Sequence, residues 1–557
     1  DLTITAGTLS GTNNVTVSGG DATGAGTIKL TGGTFTLDGA GSFGGSSAWI
    51  FSSLTFGDGS NAATSTASGT GGITVSSTLS VTNNQGLDAG SKTWTLSGAG
   101  TALSVAGGFT GNTSNFAYTS GSGLSALASR DMTGSYAYYN LTINGTGTFT
   151  AGVDITVSND LSLTGGTLAG TNNITVNGGD ASGSGLVNLT GGTFTLDGTG
   201  TFADASNLTF YNLTFGDGSG SAVTTTSSGN SGVTVTGVLT IAANQTLNAS
   251  SKTWTLSGSG TPLVISGTFT ASNSTIDYTG TSATTIAVAT YNNLGVKPGA
   301  NSITHTFTAG TATVNGNLTL GNGTNTGVNV TAASNSTVLD VNGALTIAAN
   351  TTLTAHGSNS FAVAGSWTNN GTFTHNSGTI TFDTTGTSVI SGATTFNNFT
   401  STTAGKTLQF QRQTDSAPVF TFNGTFNVSG SGGVGNKVNI QSDLAGTQWL
   451  AHFTNAQSSV NHADIKDSGC NVGSANVNLT GSSRNGGNNG ACWVFVAASQ
   501  GGGGAPTDGG SGGGTPQGGG GGSGGGGSAL GAQENIDQSS NQGFWSRLFE
   551  NIKRIFR

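Results

Sequence analysis

The histidines are the side chains best suited to acid–base or metal chemistry near neutral pH, and the chain has 5 of them. Their positions follow no metal-ligand spacing, and the sequence contains no GxSxG, HExxH, P-loop or paired-cysteine zinc pattern. We therefore expect a protein that is not an enzyme, with its histidines exposed on loops or strands. These residues are His305, His356, His375, His452 and His462.

Several aspartates recur at equivalent places in the sequence. Asp58 and Asp217 lie in a repeated Gly-Asp-Gly-Ser segment, and Asp21 and Asp180 in a repeated Gly-Gly-Asp segment. Recurrence in each copy favours a structural turn over a unique active site. Because carboxylate and carbonyl oxygens suit a hard cation, Asp58 and Asp217 are also candidate calcium ligands. No other cofactor is expected.

Clustered carboxylates would indicate a polysaccharide-active enzyme. Asp464 and Asp467 are close in sequence, but residues three apart on a strand face opposite sides, so they do not form a simple catalytic pair. An enzyme would instead need a groove lined by several Asp together with Arg or Lys on adjacent segments.

Cys470 and Cys492 are the only two cysteines. So few thiols are normal for an exported protein, and we predict that the two form a disulfide. The alternative is two unlinked small core residues.

The C-terminal residues 543–557 alternate bulky apolar and basic side chains at intervals of three and four, which predicts a basic amphipathic helix. A Gly-rich segment, 501–542, precedes it and predicts a disordered, flexible linker. The helix suits attachment to a cell envelope or membrane surface; a sorting signal and a cap on the preceding domain are the alternatives. The residues expected to make the attachment are Trp545, Arg547, Leu548, Phe549, Ile552, Lys553, Arg554, Ile555, Phe556 and Arg557.

The composition limits the partners of the chain. It has 557 residues, 98 of them Gly, only 7% charged residues and a net charge of −9. Nucleic acid is not an expected partner, because phosphate recognition needs clustered Lys and Arg and only 14 are present. No apolar stretch reaches the roughly 18 residues of a membrane-spanning helix.

Internal repetition is the strongest pattern in the sequence. Residues 7–43 recur closely as 166–202, which is 159 positions later, and residues 237–244 return in diverged form as 343–350. Within each copy, short runs such as Thr34-Phe35-Thr36-Leu37 alternate apolar side chains with Thr, as half-buried strands do.

Each such strand has an apolar face too small to be stable alone, and stacking successive coils would bury these faces in one core. The sequence therefore predicts an all-β, right-handed parallel β-helix (β-solenoid) with roughly 25 coils of about 20 residues each. A chain of β-sandwich modules is the main alternative. The expected segments are a first repeat (1–153), a second (154–300), a diverged third (301–410), a C-terminal solenoid segment (411–500), the linker (501–542) and the helix (543–557).

The Gly/Thr/Asn-rich coils, the repeated Tyr-Asn-Leu-Thr phrases such as the one at Tyr139 and the closing segment 459–495 resemble repeat-rich bacterial cell-surface β-helix proteins, the autotransporter and haemagglutinin-like adhesin group. The resemblance covers roughly residues 1–496. It implies a non-enzymatic, extracellular, cell-surface stalk or adhesin, with glycans or neighbouring cell surfaces as partners.

Other functions remain open at this point. An S-layer or filament subunit is the main alternative, and a polysaccharide-active β-helix enzyme is less favoured. Thr-x-Thr runs such as Thr193-Phe194-Thr195 are found in ice-binding solenoids, but here they are irregularly spaced along the sequence.

Overall fold

The computed structural model describes residues 1–120, 125–127, 137–203, 206–414, 419–433 and 435–495. In these ranges the chain is all-β, without a helix, and its parallel strands stack into a β-solenoid of about 21 turns. The coils belong to one compact unit, Asp1–Ala498. The linker and helix predicted for 501–557 lie outside the described residues.

The period-two pattern of the sequence determines which side chains point inward. In Thr93–Leu96, for example, Trp94 and Leu96 are buried while Thr93 and Thr95 lie on the outer surface. Burial of a large apolar side chain stabilises the fold by about 1.5–3 kcal/mol, so one or two such residues on each short strand hold the strand to the core.

Successive strands lie on three faces of the solenoid, which we call the first, second and third face in chain order. The first face contains the following strands: Leu2–Thr3, Ala22–Gly24, Gly41–Gly45, Ala63–Ala67, Gln85–Asp88, Gly108–Thr110, Ile155–Val157, Ile174–Val176, Thr193–Leu196, Asn212–Phe215, Leu239–Ile241, Leu263–Ile265, Thr284–Ile286, Thr304–Phe307, Val328–Thr331, Thr351–Thr354, Thr372–Thr374, Thr394–Phe396, Val419–Phe422, Trp449–Phe453 and Ser468–Cys470.

The second face contains Thr8–Gly11, Thr27–Leu30, Trp49–Phe51, Ile73–Val75, Thr93–Leu96, Asn115–Tyr118, Asn140–Ile143, Leu161–Leu163, Ala181–Ser182, Gly200–Phe202, Val223–Ser227, Gln245–Asn248, Thr268–Thr270, Thr290–Tyr291, Gly310–Val314, Thr337–Val341, Phe361–Val363, Thr379–Thr381, Asn398–Ser401, Phe426–Ser429, Gln457–Asn461, Val477–Thr480 and Trp493–Phe495.

The third face contains Val15–Val17, Thr34–Leu37, Ser53–Phe56, Leu79–Val81, Gly100–Thr101, Leu103–Val105, Ser125–Leu127, Thr148–Ala151, Thr167–Gly170, Leu186–Leu189, Leu208–Phe210, Val233–Val235, Thr253–Leu256, Thr275–Tyr278, Asn293–Val296, Leu318–Leu320, Leu345–Ile347, Trp367–Asn369, Thr387–Ser391, Thr407–Phe410, Val438–Ser442, Ala463–Ile465 and Arg484–Asn485.

Coil length is not constant. Stacked positions are 19 residues apart between Asp154 and Asn173 but 32 apart between Asn423 and Asn455. The prediction of about 25 coils was therefore too high, because it assumed a uniform coil of about 20 residues. The handedness of the solenoid stays a prediction.

Hydrogen bonds between side chains and backbone tie the corners of the coils together. The Oδ1 atom of Asn140 accepts from the Asp160 N–H (3.2 Å), that of Asp160 from the Asp180 N–H (3.0 Å), and that of Asp180 from the Thr201 N–H (2.5 Å). Asp21 makes the equivalent bond to the Ser42 N–H (2.6 Å). These side chains satisfy backbone donors at corners, where the strand ladder is interrupted. Asp21 and Asp180 thus have the structural role expected of them.

One apolar core runs the length of the solenoid, from Ile4 to Trp493. Its aromatic packing repeats with the sequence: the rings of Phe43 and Trp94 stack at 6.2 Å, and those of their copies Phe202 and Trp254 at 6.1 Å. Each of these indoles donates its Nε1–H to a carbonyl oxygen within the core. Within the described residues, the buried apolar side chains of all four solenoid segments belong to this one core.

The sequence copies do not occupy the same faces. Thr93–Leu96 lies on the second face, whereas its copy Thr253–Leu256 lies on the third. The first-face strand Gln85–Asp88 has its copy Gln245–Asn248 on the second face. The second repeat is therefore rotated by one face, about a third of a turn, relative to the first.

Candidate functional site

The last coils of the solenoid, residues 405–495, differ chemically from the rest. Three of the four ion pairs in the described residues lie there. The same coils contain six glutamines, whereas residues 1–404 contain only two, both buried. The six are Gln409, Gln411, Gln413, Gln441, Gln448 and Gln457.

One groove of these coils, which we call the amide groove, lies at the corner between the third and first faces. It has a volume of about 590 Å³ and its lining is mainly polar. The lining residues are Gln413, Thr414, Gly446, Thr447, Gln448 and Asn488.

Asp467 holds the floor of the amide groove. Its side chain is buried, and its carboxylate accepts hydrogen bonds from the Gly446 N–H (3.0 Å) and from Asn488 Nδ2 (2.8 Å). The backbone around Asp467 is fixed as well, because its N–H donates to the Gly487 carbonyl oxygen and its own carbonyl accepts from the Trp449 N–H. Three successive coils are joined through this one residue.

The walls of the amide groove are also held in place. Gln448 Nε2 donates to the Asn488 carbonyl oxygen (2.8 Å), and the Gln413 N–H donates to the Gln448 carbonyl oxygen (2.6 Å). By contrast, the side-chain polar atoms of Gln413, Thr414 and Thr447 bond no other described residue. The groove therefore presents amide and hydroxyl groups that are free to bond a ligand.

A smaller groove of about 270 Å³ adjoins the first on the third face. Gln409 and Gln441 stack in register across it, and Asp443 accepts from the backbone N–H of Arg412 (2.8 Å) and lies 3.5 Å from its guanidinium. Lys466 lines the same groove.

The corner between the second and third faces has a different character. Here Asp464 pairs with Arg484 through two hydrogen bonds (3.1 and 2.8 Å) and with Lys437 at 3.1 Å, beside a groove of about 280 Å³. Both oxygens of this carboxylate are engaged by cations. As expected, Asp464 and Asp467 point to different sides of the coil, and Asp464 serves as the centre of an ion-pair cluster.

Asp58 and Asp217, the candidate calcium ligands, lie exposed at equivalent turns. Each carboxylate accepts hydrogen bonds from the side chain and the N–H of the serine two residues later, Ser60 or Ser219, and these bonds lower the pKa of each carboxyl. Within the described ranges, no group of three or more His, Cys, Asp or Glu residues is arranged to hold a metal ion. The two turns are thus built around local hydrogen bonds.

The structure joins Cys470 and Cys492 in a disulfide, with their Cα atoms 6.0 Å apart. Cys470 ends a first-face strand, and Cys492 directly precedes the last strand, Trp493–Phe495. The bond therefore fixes the final coil to the coil before it, next to the grooves.

His305 contradicts the expectation that the histidines are exposed. It is fully buried on the first face, where its Nδ1 hydrogen-bonds the Thr284 hydroxyl and its Nε2 has no partner. Burial lowers the pKa of His305 to about 4. The error arose because His305 occupies an inward position of the strand Thr304–Phe307, where an apolar residue is usual.

Three lysines are buried in the same unexpected way. Lys92 lies under a glycine-rich corner and donates from Nζ to the carbonyl oxygens of Gly69 (3.0 Å) and Gly71 (2.7 Å). Its copy, Lys252, donates to the Ser231 carbonyl oxygen (3.1 Å), and Lys406 to that of Ala364 (3.0 Å). These ammonium groups satisfy backbone oxygens of neighbouring coils.

The attachment residues predicted between Trp545 and Arg557 lie outside the described residues. Within the described ranges, no helix is long and apolar enough to span a membrane. No protein-family model, no curated protein and no solved structure matches this chain.

Proposed function

We propose that this chain is a non-enzymatic, extracellular cell-surface protein in which the repeated coils form a stiff stalk, with the C-terminal tail as its attachment. The observation that carries the proposal is the uninterrupted core of about 21 turns. With parallel strands about 4.8 Å apart, these coils extend over roughly 100 Å. Such a rod can bend only by breaking a ladder or opening the core.

The surface of the repeats supports a spacer role. Outward positions on the strands are largely Thr, Ser and Asn. Described aspartates of the first two repeats such as Asp21, Asp160, Asp180 and Asp217 are engaged in corner ladders and turns. A surface whose carboxylates already bond the backbone has little left for catalysis. The chemically distinct side chains are found on the last coils.

The disulfide supports the extracellular location. Disulfides persist in oxidising compartments and are rare in the cytosol. The bond joins the last two described coils, where terminal elements of a fold commonly open first.

The attachment is tested by cell fractionation. The full chain and a version that ends at Gln500 are expressed in the producing cell, and each is followed in the envelope and medium fractions. We expect the full chain in the envelope fraction and the shortened chain in the medium. Retention of the shortened chain would refute attachment by the tail, and accumulation of the full chain in the cytosol would refute the surface role.

The same preparations test the stalk. Flotation with anionic liposomes shows whether the tail binds lipid directly, since a basic amphipathic helix binds such surfaces in a salt-dependent way. Light scattering of the shortened chain shows whether it remains a monomer. Assembly into large ordered particles would favour the S-layer or filament alternative over a single stalk.

A further inference from the structure

We infer that the amide groove is a binding site for a neutral polysaccharide. This inference rests on the proposed surface role and names the ligand class of the last coils. In this groove, unbonded amide and hydroxyl side chains meet in one polar concavity, at Gln413, Thr414 and Thr447.

The chemistry of the lining selects this class of ligand. Sugar hydroxyls both donate and accept hydrogen bonds, and a side-chain amide offers two donors and one acceptor oxygen. The six lining residues carry no formal charge. The adjoining groove is balanced as well, because Arg412 and Lys466 are matched by Asp443 and Asp467. An anionic polymer would find no net attraction there.

The groove is preorganised for binding. The buried Asp467 fixes both Gly446 and Asn488, and Asn488 in turn holds Gln448. The walls that carry the unbonded side chains are therefore already ordered before a ligand binds, and this reduces the entropic cost of association. The groove is open at the surface and has a volume of about 590 Å³, so a polymer can lie along it.

The first repeat has a groove of about 640 Å³ at the corresponding corner, but its lining is mostly apolar and consists mainly of Ala and Gly. The amide groove depends on one coil that is longer than those of the first repeats: Thr407 and Asn439 are stacked 32 residues apart, whereas ladder partners such as Asp160 and Asp180 are 20 apart. Part of the extra length follows the strand Thr407–Phe410, where Gln413 and Thr414 form one wall. The repeats supply length, and the last coils supply the binding site.

The test is affinity electrophoresis of the full chain in native gels that contain dextran, mannan, laminarin or the polysaccharide extracted from the envelope of the producing cell. Alginate serves as the anionic control. We expect retardation by at least one neutral polysaccharide and none by alginate. Retardation by the producer's own polysaccharide would identify an attachment to its own envelope, and retardation by the others alone would identify foreign surfaces.

The double variant Gln413→Leu/Thr447→Val should weaken the apparent association constant about tenfold, because two of the unbonded hydrogen-bonding groups are lost. The matched control is Gln441→Leu, which lies in the adjoining groove and should bind as the wild type does. Hydrogen exchange at Trp449–Phe453 checks that the coils remain folded. Absence of retardation by every neutral polysaccharide, or equal retardation of the double variant, would overturn the inference. Neither result bears on the fractionation experiment, which tests the surface role separately.

Discussion

The buried imidazole of His305 makes the central coils sensitive to acid. Its pKa is about 4 in the folded chain, against an ordinary value near 6.5. As the pH falls below about 6.5, the unfolded chain takes up the proton first, so its free energy falls relative to that of the folded chain. The contribution of His305 to stability is thus fully present above pH 6.5 and is lost as the pH falls toward 4.

The magnitude follows from the shift. A difference of about 2.5 pKa units corresponds to about 3 kcal/mol, since each unit is worth about 1.4 kcal/mol. This loss should be local, because in a stacked array each coil contacts only its neighbours. The strands expected to respond are Thr304–Phe307 and its two partners on the first face, Thr284–Ile286 and Val328–Thr331.

The assay is hydrogen exchange followed by mass spectrometry at pH values from 7 to 4. It is made on the wild type, on the variant Thr284→Val/His305→Leu, which replaces the buried polar pair by apolar groups, and on the control His462→Asn. His462 lies partly exposed at a corner with φ +48°, a conformation that Asn tolerates. Between pH 7 and 4, protection of the three strands should fall in the wild type and in the control by about 3 kcal/mol more than it falls in the double variant.

The imidazole itself can also be followed, because exchange at its carbon C2 depends on protonation. A midpoint for His305 between pH 6 and 7 would refute the assignment of the low pKa to burial. An equal pH dependence in the wild type and the double variant would show that other groups cause the acid sensitivity.

Three further predictions concern the construction of the rod. Deletion of residues 8–166 joins Gly7 to Thr167 at matching positions of the two repeats, so the shortened chain should remain folded. It should lose about seven turns, which small-angle X-ray scattering would measure as a maximum dimension shorter by about 35 Å. An unfolded product would refute the equivalence of the repeats. Lys92→Met leaves the Gly69 and Gly71 carbonyl oxygens without their donor and should reduce local protection against hydrogen exchange by about 2–3 kcal/mol. The control Lys29→Met, at an exposed position, should change this protection by less than about 0.5 kcal/mol. Equal effects of the two substitutions would contradict a structural role for the buried ammonium group. Cys470→Ser/Cys492→Ser removes a cross-link between residues 22 apart and should lower the protection of Val477–Thr480 and Trp493–Phe495 against hydrogen exchange by about 3 kcal/mol. The distant strand Thr93–Leu96 serves as the unaffected reference. Unchanged exchange at the last strands would show that packing of Trp493 is sufficient to hold them.

The fold could be predicted from sequence because its determinants are local. The alternation in Thr93–Leu96 and the near-identity of residues 7–43 and 166–202 indicate short stacked strands with one buried face. The number of turns could not be predicted, because coil length varies, from 16 residues between Val477 and Trp493 to 32 between Asn423 and Asn455, through corners that carry no fixed pattern.

The grooves were harder to foresee for the same reason. Gln448 and Asn488 become neighbours only through the lengths of the intervening turns, so no spacing rule joins them. The signal that could have located the region is compositional: glutamines and unburied cations appear together only after residue 405. The burial of His305 and Lys92 was not predicted, because inward positions of a strand are normally apolar. Their hydrogen-bond partners, which allow these polar side chains to be buried, can be identified only from the structure.

The rotation of the second repeat by one face determines which sides of the rod present the repeated surface to other molecules. Corresponding outer side chains of the two copies face directions about 120° apart, as on a screw, and do not form one stripe. Consider a bivalent molecule, such as an antibody, that recognises the repeated motif. When one arm binds the motif of the first repeat, the motif of the second repeat faces another side of the same rod and is out of reach of the other arm. The second arm is then available to a neighbouring rod, so the expected product is a cross-linked layer of molecules, with avidity set by their spacing on the surface.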